Sequence, residues 1–467
     1  MQPYQLSATQ LLEMMRQREL SPVELMQSYQ QRINQVNDKV NAFAFEFPQQ
    51  ALAAARQAEQ DYISGHARRL SGLAVAIKDE TYIAGQITTN GSLCLKDAVA
   101  QSTDPAPAAL MAEGAIVHGR TTTPECSTAA VTWSRIWGVS RNPWNLALTC
   151  GGSSGGSAIA VASGMASFAN GTDIGGSLRI PAAFCGLYGY KPPHGRVAEI
   201  PPFNIDPYCH HGLLTRSLDD LQRIYPLMTG PNWIDSHSFV PRDKSPARSL
   251  SSLRVAVSSN LGFYQVDQDI RANLEQSALH LQQAGVAVEF VDLDWDDQVI
   301  ETAKIHQRAL MGMLLRRNLD KPENRPLFTP YLAWYLDRVA ELSADDIFEA
   351  NLHVCRMWEA LAKVFKRFDA LICPTLATTR IAADFDYSQH QVEINDQVVD
   401  ANKGWFMTYP FNTLGQCPAL SMPNGFCQTG VPSSLQIVGR PYQEQTLFTL
   451  AEALSHYHDW ARWPPFN

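Results

Sequence analysis

Residues 151–195 contain eleven glycines, many serines and alanines, and almost no charge. Glycine at this density weakens any element it sits in, unless backbones must approach closely or φ must be positive. The segment is no flexible linker. Ile159, Val161, Phe168, Ile174, Leu178 and Ile180 are interleaved with the glycines, beside the polar set Thr172, Asp173 and Arg179. The pattern predicts a loop, a helix from about Ser154, a short strand, then a tight loop into a helix near Leu178.

The flanking sequence reads as α/β. Ser7-x-x-Gln10 and Ser21-Pro22-Val23-Glu24 are capping boxes ahead of apolar runs. Leu25, Tyr29, Ile33 and Val36 follow at helical spacing. Helices are predicted over 49–62, from Ser217, over 268–284, through most of 297–367, and over 444–456. Strands are predicted over 73–77, 115–118, 253–257, 286–291, 370–373, 419–422 and 435–438. Strands alternating with helices imply an α/β fold with a mixed β-sheet covered by helices on both faces. At 467 residues the length alone suggests several domains. No repeat or linker divides the chain, so a single large domain over 1–467 is expected, with its core at about 70–230.

Composition excludes several classes. A net charge of −9 leaves no basic field for nucleic acid. No apolar run reaches the length of a membrane span. The opening MQPYQLSATQ lacks a basic start and apolar run, so no secretory leader is expected. Nine cysteines are scattered without a C-x-x-C pair, which fits reduced thiols and a cytoplasmic location.

Three side chains carry candidate chemistry. Lys78 ends the apolar run LAVAI, and Ser153 and Ser177 lie in the glycine-rich segment. Burial disfavours an ammonium, and a lysine base near neutrality needs a pKa lowered from about 10.4 to roughly 7–8. A neutral lysine can take a proton from a serine, directly or through a second hydroxyl. In Thr172-Asp173-Ile174-Gly175-Gly176-Ser177, consecutive amides around two glycines can converge into an oxyanion hole beside a nucleophilic Ser177.

The run GGSSGGSAIAVASGMASFANGTDIGGSLRIPAAFCGLYGYKPPHGRV resembles the signature of the amidase signature family of serine hydrolases. The segments LSPVELMQSYQQRINQVNDKVNAF, GLAVAIKDE, TTTPECS, RNPWN, CPTLATT and FNTLGQCPALSMPNGF extend the resemblance over nearly the whole chain. It implies that Ser177 is the nucleophile, Ser153 the bridging serine after a cis peptide from Gly152, and Lys78 the base. It implies an oxyanion hole from the amides of Ile174, Gly175, Gly176 and Ser177. Asp173 and Arg179 would support that loop, and Ser127 and Thr172 would meet substrate. The implied reaction is hydrolysis of a small-molecule amide through an acyl-enzyme, with no cofactor and no metal.

The chain departs from the family pattern at Glu80, where Asn is usual, at Pro193, where Thr is usual, and at Ser434, where Gly is usual. These positions are expected to leave the triad untouched and to bear on substrate class. Specificity is expected from 126–137, 200–212 and 305–340, with Trp133, Trp137, Phe203 and Tyr208 as candidate pocket aromatics.

Other readings fit parts of the sequence. Gly151-x-Ser153-x-Gly155 matches a nucleophile elbow, with His390, His456 or His458 as partner. That reading needs a strand directly before Ser153, and 143–150 is a poor one. Lys78 could simply pair with Asp79 or Glu80. His210-His211 reads as surface or pocket lining, and Cys126 and Cys185 as buried filler. Three functions stand beside hydrolysis: amide synthesis by acyl transfer, a glutamine-amidase component feeding ammonia to a partner, and a silent binding module. A homodimer is left open.

Overall fold

The structure, a computed structural model, describes residues 2–241, 248–457 and 462–466. His458 lies outside the described residues. Eleven strands form one mixed sheet. In spatial order it begins Phe43–Glu46, Ile116–Thr121, Ala74–Lys78, Phe168–Thr172, His211–Thr215 and Tyr188–Lys191. It continues through Ala419–Phe426, Pro432–Gly439, Ala370–Pro374, Arg254–Val257 and Ala287–Phe290. Ala74–Lys78 and Arg254–Val257 each run parallel to both neighbours. The strands between those two groups pair antiparallel.

Burial on both faces explains the unbroken apolar strands. Alternate side chains of a strand point to opposite faces. Val255, Ala370 and Ile372 join one core cluster, and Ala256, Leu371 and Cys373 join another. All five residues of Ala74–Lys78 are buried, so no period-two pattern is visible there.

The capping predictions match the structure. Ser7 and Gln10 close the start of Ala8–Gln17, and Ser21 and Glu24 close the start of Pro22–Val40. The glycine-rich segment folds as helix Gly155–Ala162, strand Phe168–Thr172 and helix Arg179–Cys185. Its glycines permit close approach: a Cβ on Gly156 would strike the backbone nitrogen of Thr122 at 2.5 Å. Gly176 has φ +122°, and a Cβ there would collide with Thr408 Oγ1.

Several short elements have no counterpart among the sequence expectations. Phe43–Glu46, Tyr188–Lys191 and His211–Thr215 are sheet strands, and Val392–Ile394 pairs with Gln397–Val399 as a small hairpin. The first three carry polar, aromatic or glycine residues between their apolar ones. No strand lies directly before Ser153, which removes the nucleophile-elbow geometry.

Candidate active site

Ala74–Lys78 and Phe168–Thr172 run parallel and adjacent, with Val75 opposite Phe168. Their last residues, Lys78 and Thr172, therefore emerge at the same carboxyl-terminal edge of the sheet, where open α/β sheets place their sites. Ser153 and Ser177 arrive from the loops that open helices Gly155–Ala162 and Arg179–Cys185. Ser154 N donates to Ser177 O at 3.1 Å and ties the two loops together. The Gly152–Ser153 peptide is cis.

Lys78 is fully buried, and its Nζ has three polar neighbours. Ser153 Oγ lies at 2.7 Å, Thr172 Oγ1 at 2.8 Å and Glu80 Oε2 at 2.5 Å. Thr172 Oγ1 donates to Glu80 Oε2 at 2.6 Å. Burial pushes the Glu80 carboxyl up, but the Lys78 ammonium and the two hydrogen bonds outweigh it and hold it below the ordinary glutamate value. This corrects two expectations. The departure at position 80 does touch the lysine. The pocket is dry at Nζ, yet it holds a carboxylate beside the amine. Lys78 does pair with Glu80, without reaching solvent. Thr172, expected to meet substrate, has its hydroxyl engaged between Lys78 and Glu80.

Ser177 Oγ has no hydrogen-bond partner among the described residues and lines a narrow cleft of about 40 Å³ free volume. The structure thus joins Lys78 to Ser153 by a hydrogen bond and leaves Ser177 facing the cleft. In an empty site such catalytic contacts are often long and tighten around substrate.

The loop before Ser177 is held from below. Asp173 pairs with Arg179 at 2.9 Å, both fully buried. Burial raises the Asp173 carboxyl, but the Arg179 charge, with hydrogen bonds from Arg179 and Asn412, holds it far below the usual range. Arg179 also donates to Thr408 O and Gln436 Oε1 at 2.9 Å each, and to Asn412 Oδ1 at 2.6 Å. Sequence reasoning misses the roles of Asn412 and Gln436, although for Asn412 an amide inside the family-like segment FNTLGQCPALSMPNGF is an available signal.

Asp173 Oδ1 also accepts the Gly176 N–H at 2.8 Å. That amide is therefore turned away from the cleft, contrary to its expected place in an oxyanion hole. The amides of Ile174, Gly175 and Ser177 have no acceptor among the described residues.

Opposite Ser177, the cleft is lined by Gln307, Arg308 and Lys403. Lys403 Nζ donates to Gln307 Oε1 at 2.7 Å, and Gln307 Nε2 donates to Ile174 O at 3.3 Å. Burial lowers Lys403 to about 7. Arg308 begins a π-helical turn, Arg308–Gly312, an irregularity frequent at functional sites. Ser127 lines the same cleft and donates to Asn90 Oδ1 at 3.1 Å.

A second, larger cavity of about 220 Å³ is lined by Glu80 and Thr172, the two side chains that meet the lysine amine. Phe203, Cys126 and His211 line it too. The other aromatics lie elsewhere in the packing: Tyr208 stacks on His306, Trp133 Nε1 donates to Phe385 O, and Trp137 Nε1 donates to Thr89 Oγ1. Cys126 and Cys185 are buried, and burial pushes both thiols well up. His210 is buried against backbone carbonyls, with Nδ1 2.9 Å from Tyr208 O. Among the described residues no helix is long and apolar enough to cross a membrane.

The chain is similar to many known proteins. An acylamidase from Rhodococcus erythropolis is 29% identical over 469 residues, covering 98% of this chain and 96% of the relative. A glutamyl-tRNA(Gln) amidotransferase subunit from Geotalea daltonii is 28% identical over 491 residues, covering 98% and 99%. The crystal structure of a bacterial aryl acylamidase of the amidase signature family superposes with a TM-score of 0.89 at 28% identity, covering 98% of this chain and 97% of that one. A family model for Amidase matches residues 24–448, and the chain belongs to the amidase signature family.

Proposed function

We propose that this protein hydrolyses small-molecule carboxylic amides through an acyl-enzyme on Ser177, with Ser153 and Lys78 as the proton path. One observation carries the reading: a fully buried lysine amine hydrogen-bonded to Ser153 Oγ, next to a loop with three unpaired amides. Ser177 Oγ attacks the carbonyl carbon, and the developing oxyanion is met by the amides of Ile174, Gly175 and Ser177. The Ser177 proton passes to Ser153, whose own proton passes to Nζ. The C–N bond breaks as the proton returns to the leaving amine. Water then repeats the sequence on the ester.

Glu80 enters this proton count. An ammonium already carries three hydrogens and has no lone pair to offer. Nζ can accept the Ser153 proton once one of its own has moved along the 2.5 Å contact to Glu80 Oε2. The Lys78–Glu80 pair is then the base, and Thr172 holds the carboxylate in place. Gly152, Asp173 and Arg179 position the loops and take no part in the bond changes.

Labelling tests the reading. A fluorophosphonate probe should modify Ser177, and Ser177→Ala should abolish both labelling and release of aniline from a chromogenic anilide. Labelling of any other serine with retained turnover would refute it. The similarity to a glutamyl-tRNA(Gln) amidotransferase component favours a second reading, release of ammonia from glutamine for a partner. Ammonia production from glutamine with no anilide cleavage would select it.

A further inference from the structure

The charge of the Ser177 cleft runs against that of the chain. The chain is acidic, with 46 Asp and Glu against 37 Lys and Arg. The cleft lining holds Lys304, Arg308 and Lys403 and no carboxylate. Two of these cations are committed. Lys304 Nζ donates to Glu301 Oε1 at 2.7 Å and to Asp400 Oδ2 at 2.6 Å. Lys403 Nζ donates to Gln307 Oε1 at 2.7 Å, and burial brings it to about 7. Arg308 is half-buried and makes no ion pair and no hydrogen bond among the described residues. Its Nε is buried without a partner, whereas its two terminal nitrogens are not buried. The groups that feel its charge are occupied elsewhere. Asp346 is exposed and accepts from Ser343 N at 2.9 Å and Ser343 Oγ at 2.7 Å. Tyr335 and Tyr387 donate to Gln307 O at 2.9 Å and Tyr331 O at 3.1 Å. An outer pocket shares Lys304, Arg308, Trp334 and Asn402 with the cleft, so Arg308 stands where the two border. The carboxylates of that pocket are Glu301 and Asp400, both held by Lys304, and the exposed Glu341. A cation partly withdrawn from water and left unpaired favours an anionic ligand.

We propose that Arg308 binds a carboxylate in the cleft at Ser177, and that the preferred substrates are amides bearing one. A guanidinium offers a planar fork of donors that matches a carboxylate. The free volume of the cleft, about 40 Å³, suits a flat group on a short stem better than a tetrahedral phosphate. No carboxylate in the lining repels the anion, and an ammonium ligand would meet like charge. An anion here would also favour the charged form of Lys403 on the same wall. Gln307, next to Arg308 in the chain, reaches Ile174 O at 3.3 Å, which fixes the anchor against the loop that carries the nucleophile.

The statement that the carboxylate belongs to a substrate rests on the proposed amide hydrolysis; the anion site itself does not. Calorimetry on the full-length Ser177→Ala protein, with four anilides as probes, separates the two. Succinanilate, butyranilide and β-alanine anilide share one skeleton and end in a carboxylate, a methyl and an ammonium group. N-butyryl-4-aminobenzoate carries the carboxylate on the amine side instead. One of the two carboxylated anilides should bind at least about tenfold more tightly than butyranilide, the size expected of hydrogen bonds to a charged group. Which of them does so assigns the anchor to the acyl or the amine side. Arg308→Gln should erase most of that preference, and Arg308→Lys should keep part of it. Should Arg308→Gln fail to fold, Asn402→Asp, which sets a carboxylate in the same lining, should abolish the preference. Neither carboxylated probe binding more tightly than butyranilide, a preference for β-alanine anilide, or an unchanged preference in Arg308→Gln or Asn402→Asp would each overturn the proposal. Absence of fluorophosphonate labelling at Ser177 in the wild type with the carboxylate preference intact would instead remove the hydrolysis reading and leave the anion site standing.

Discussion

The molecule holds two buried ion pairs that meet at one edge of the sheet, and they are built for opposite ends. Asp173–Arg179 is closed. Both side chains are fully buried, and the guanidinium is also committed to Thr408, Asn412 and Gln436. Lys78–Glu80 is open on one side. Lys78 is fully buried, but a quarter of the Glu80 side chain is exposed, and the remaining neighbours are the hydroxyls of Ser153 and Thr172. Hydroxyls both give and accept protons, whereas amides and a guanidinium do not at neutral pH. A closed pair fixes a loop; a pair bordered by hydroxyls can pass a proton.

Removing the amine of the open pair should have the largest effect. Lys78→Ala and Ser177→Ala should each reduce anilide turnover by about 10⁴-fold or more, with Ser153→Ala nearly as severe, because residues of one relay act as a unit. Circular dichroism should show all three folded. A folded Lys78→Ala protein with near-normal turnover would remove the open pair from the chemistry.

The closed pair should answer to stability instead. Arg179→Met leaves Asp173 as a buried carboxylate without its counter-ion, a loss of about 3–5 kcal/mol. Urea midpoints would read it. Unchanged stability with lost turnover would place Arg179 in the reaction and erase the contrast.

Glu80→Gln sharpens the comparison on the open side. Glutamine keeps an oxygen for Thr172 and Nζ but cannot take a proton. Turnover should fall by about 10²-fold, the lower end of what a general acid–base group contributes. Turnover that rises in Glu80→Gln would show that the carboxylate only restrains the amine.

The sequence exposes the two pairs unequally. Asp173 and Arg179 stand six apart in an almost uncharged segment, where each can pair with little else, so their partnership is legible from the residues alone. Lys78 and Glu80 are two apart, a spacing that puts side chains on one side of an extended chain. Asp79 lies between them, however, and competes for the same lysine on paper. In the fold Asp79 turns to Thr89 N at 3.1 Å, which no local pattern announces. The same limit applies to the elements. Ser21 and Glu24 mark a helix start because a cap is local, whereas strands His211–Thr215 and Tyr188–Lys191 exist through antiparallel pairing with each other. Asn412 and Gln436 reach Arg179 from more than two hundred positions away, a closure set by the whole sheet.

The smallest effect lies at the acid wall beyond the open pair, where His211 meets Glu199. Burial alone would lower the imidazole, but Glu199, with Asp104 and Glu80 behind it, raises it from 6.5 to about 9. A histidine whose folded pKa is raised stabilises the fold fully below its unfolded pKa, and that contribution is lost as pH rises through the folded value. Wild type should therefore exceed His211→Asn by about 1–3 kcal/mol near pH 6.5, with the gap closing by pH 10. Burial pushes the Asp104 carboxyl up to about 6, so the part of the gap that closes between pH 8 and 10 reports the imidazole. Urea midpoints at pH 6.5, 8 and 10 for both proteins would trace the gap. A gap that widens with pH would mean that His211 is neutral in the fold, leaving Glu199 as a further uncompensated carboxylate and the wall more anionic than the pairing implies.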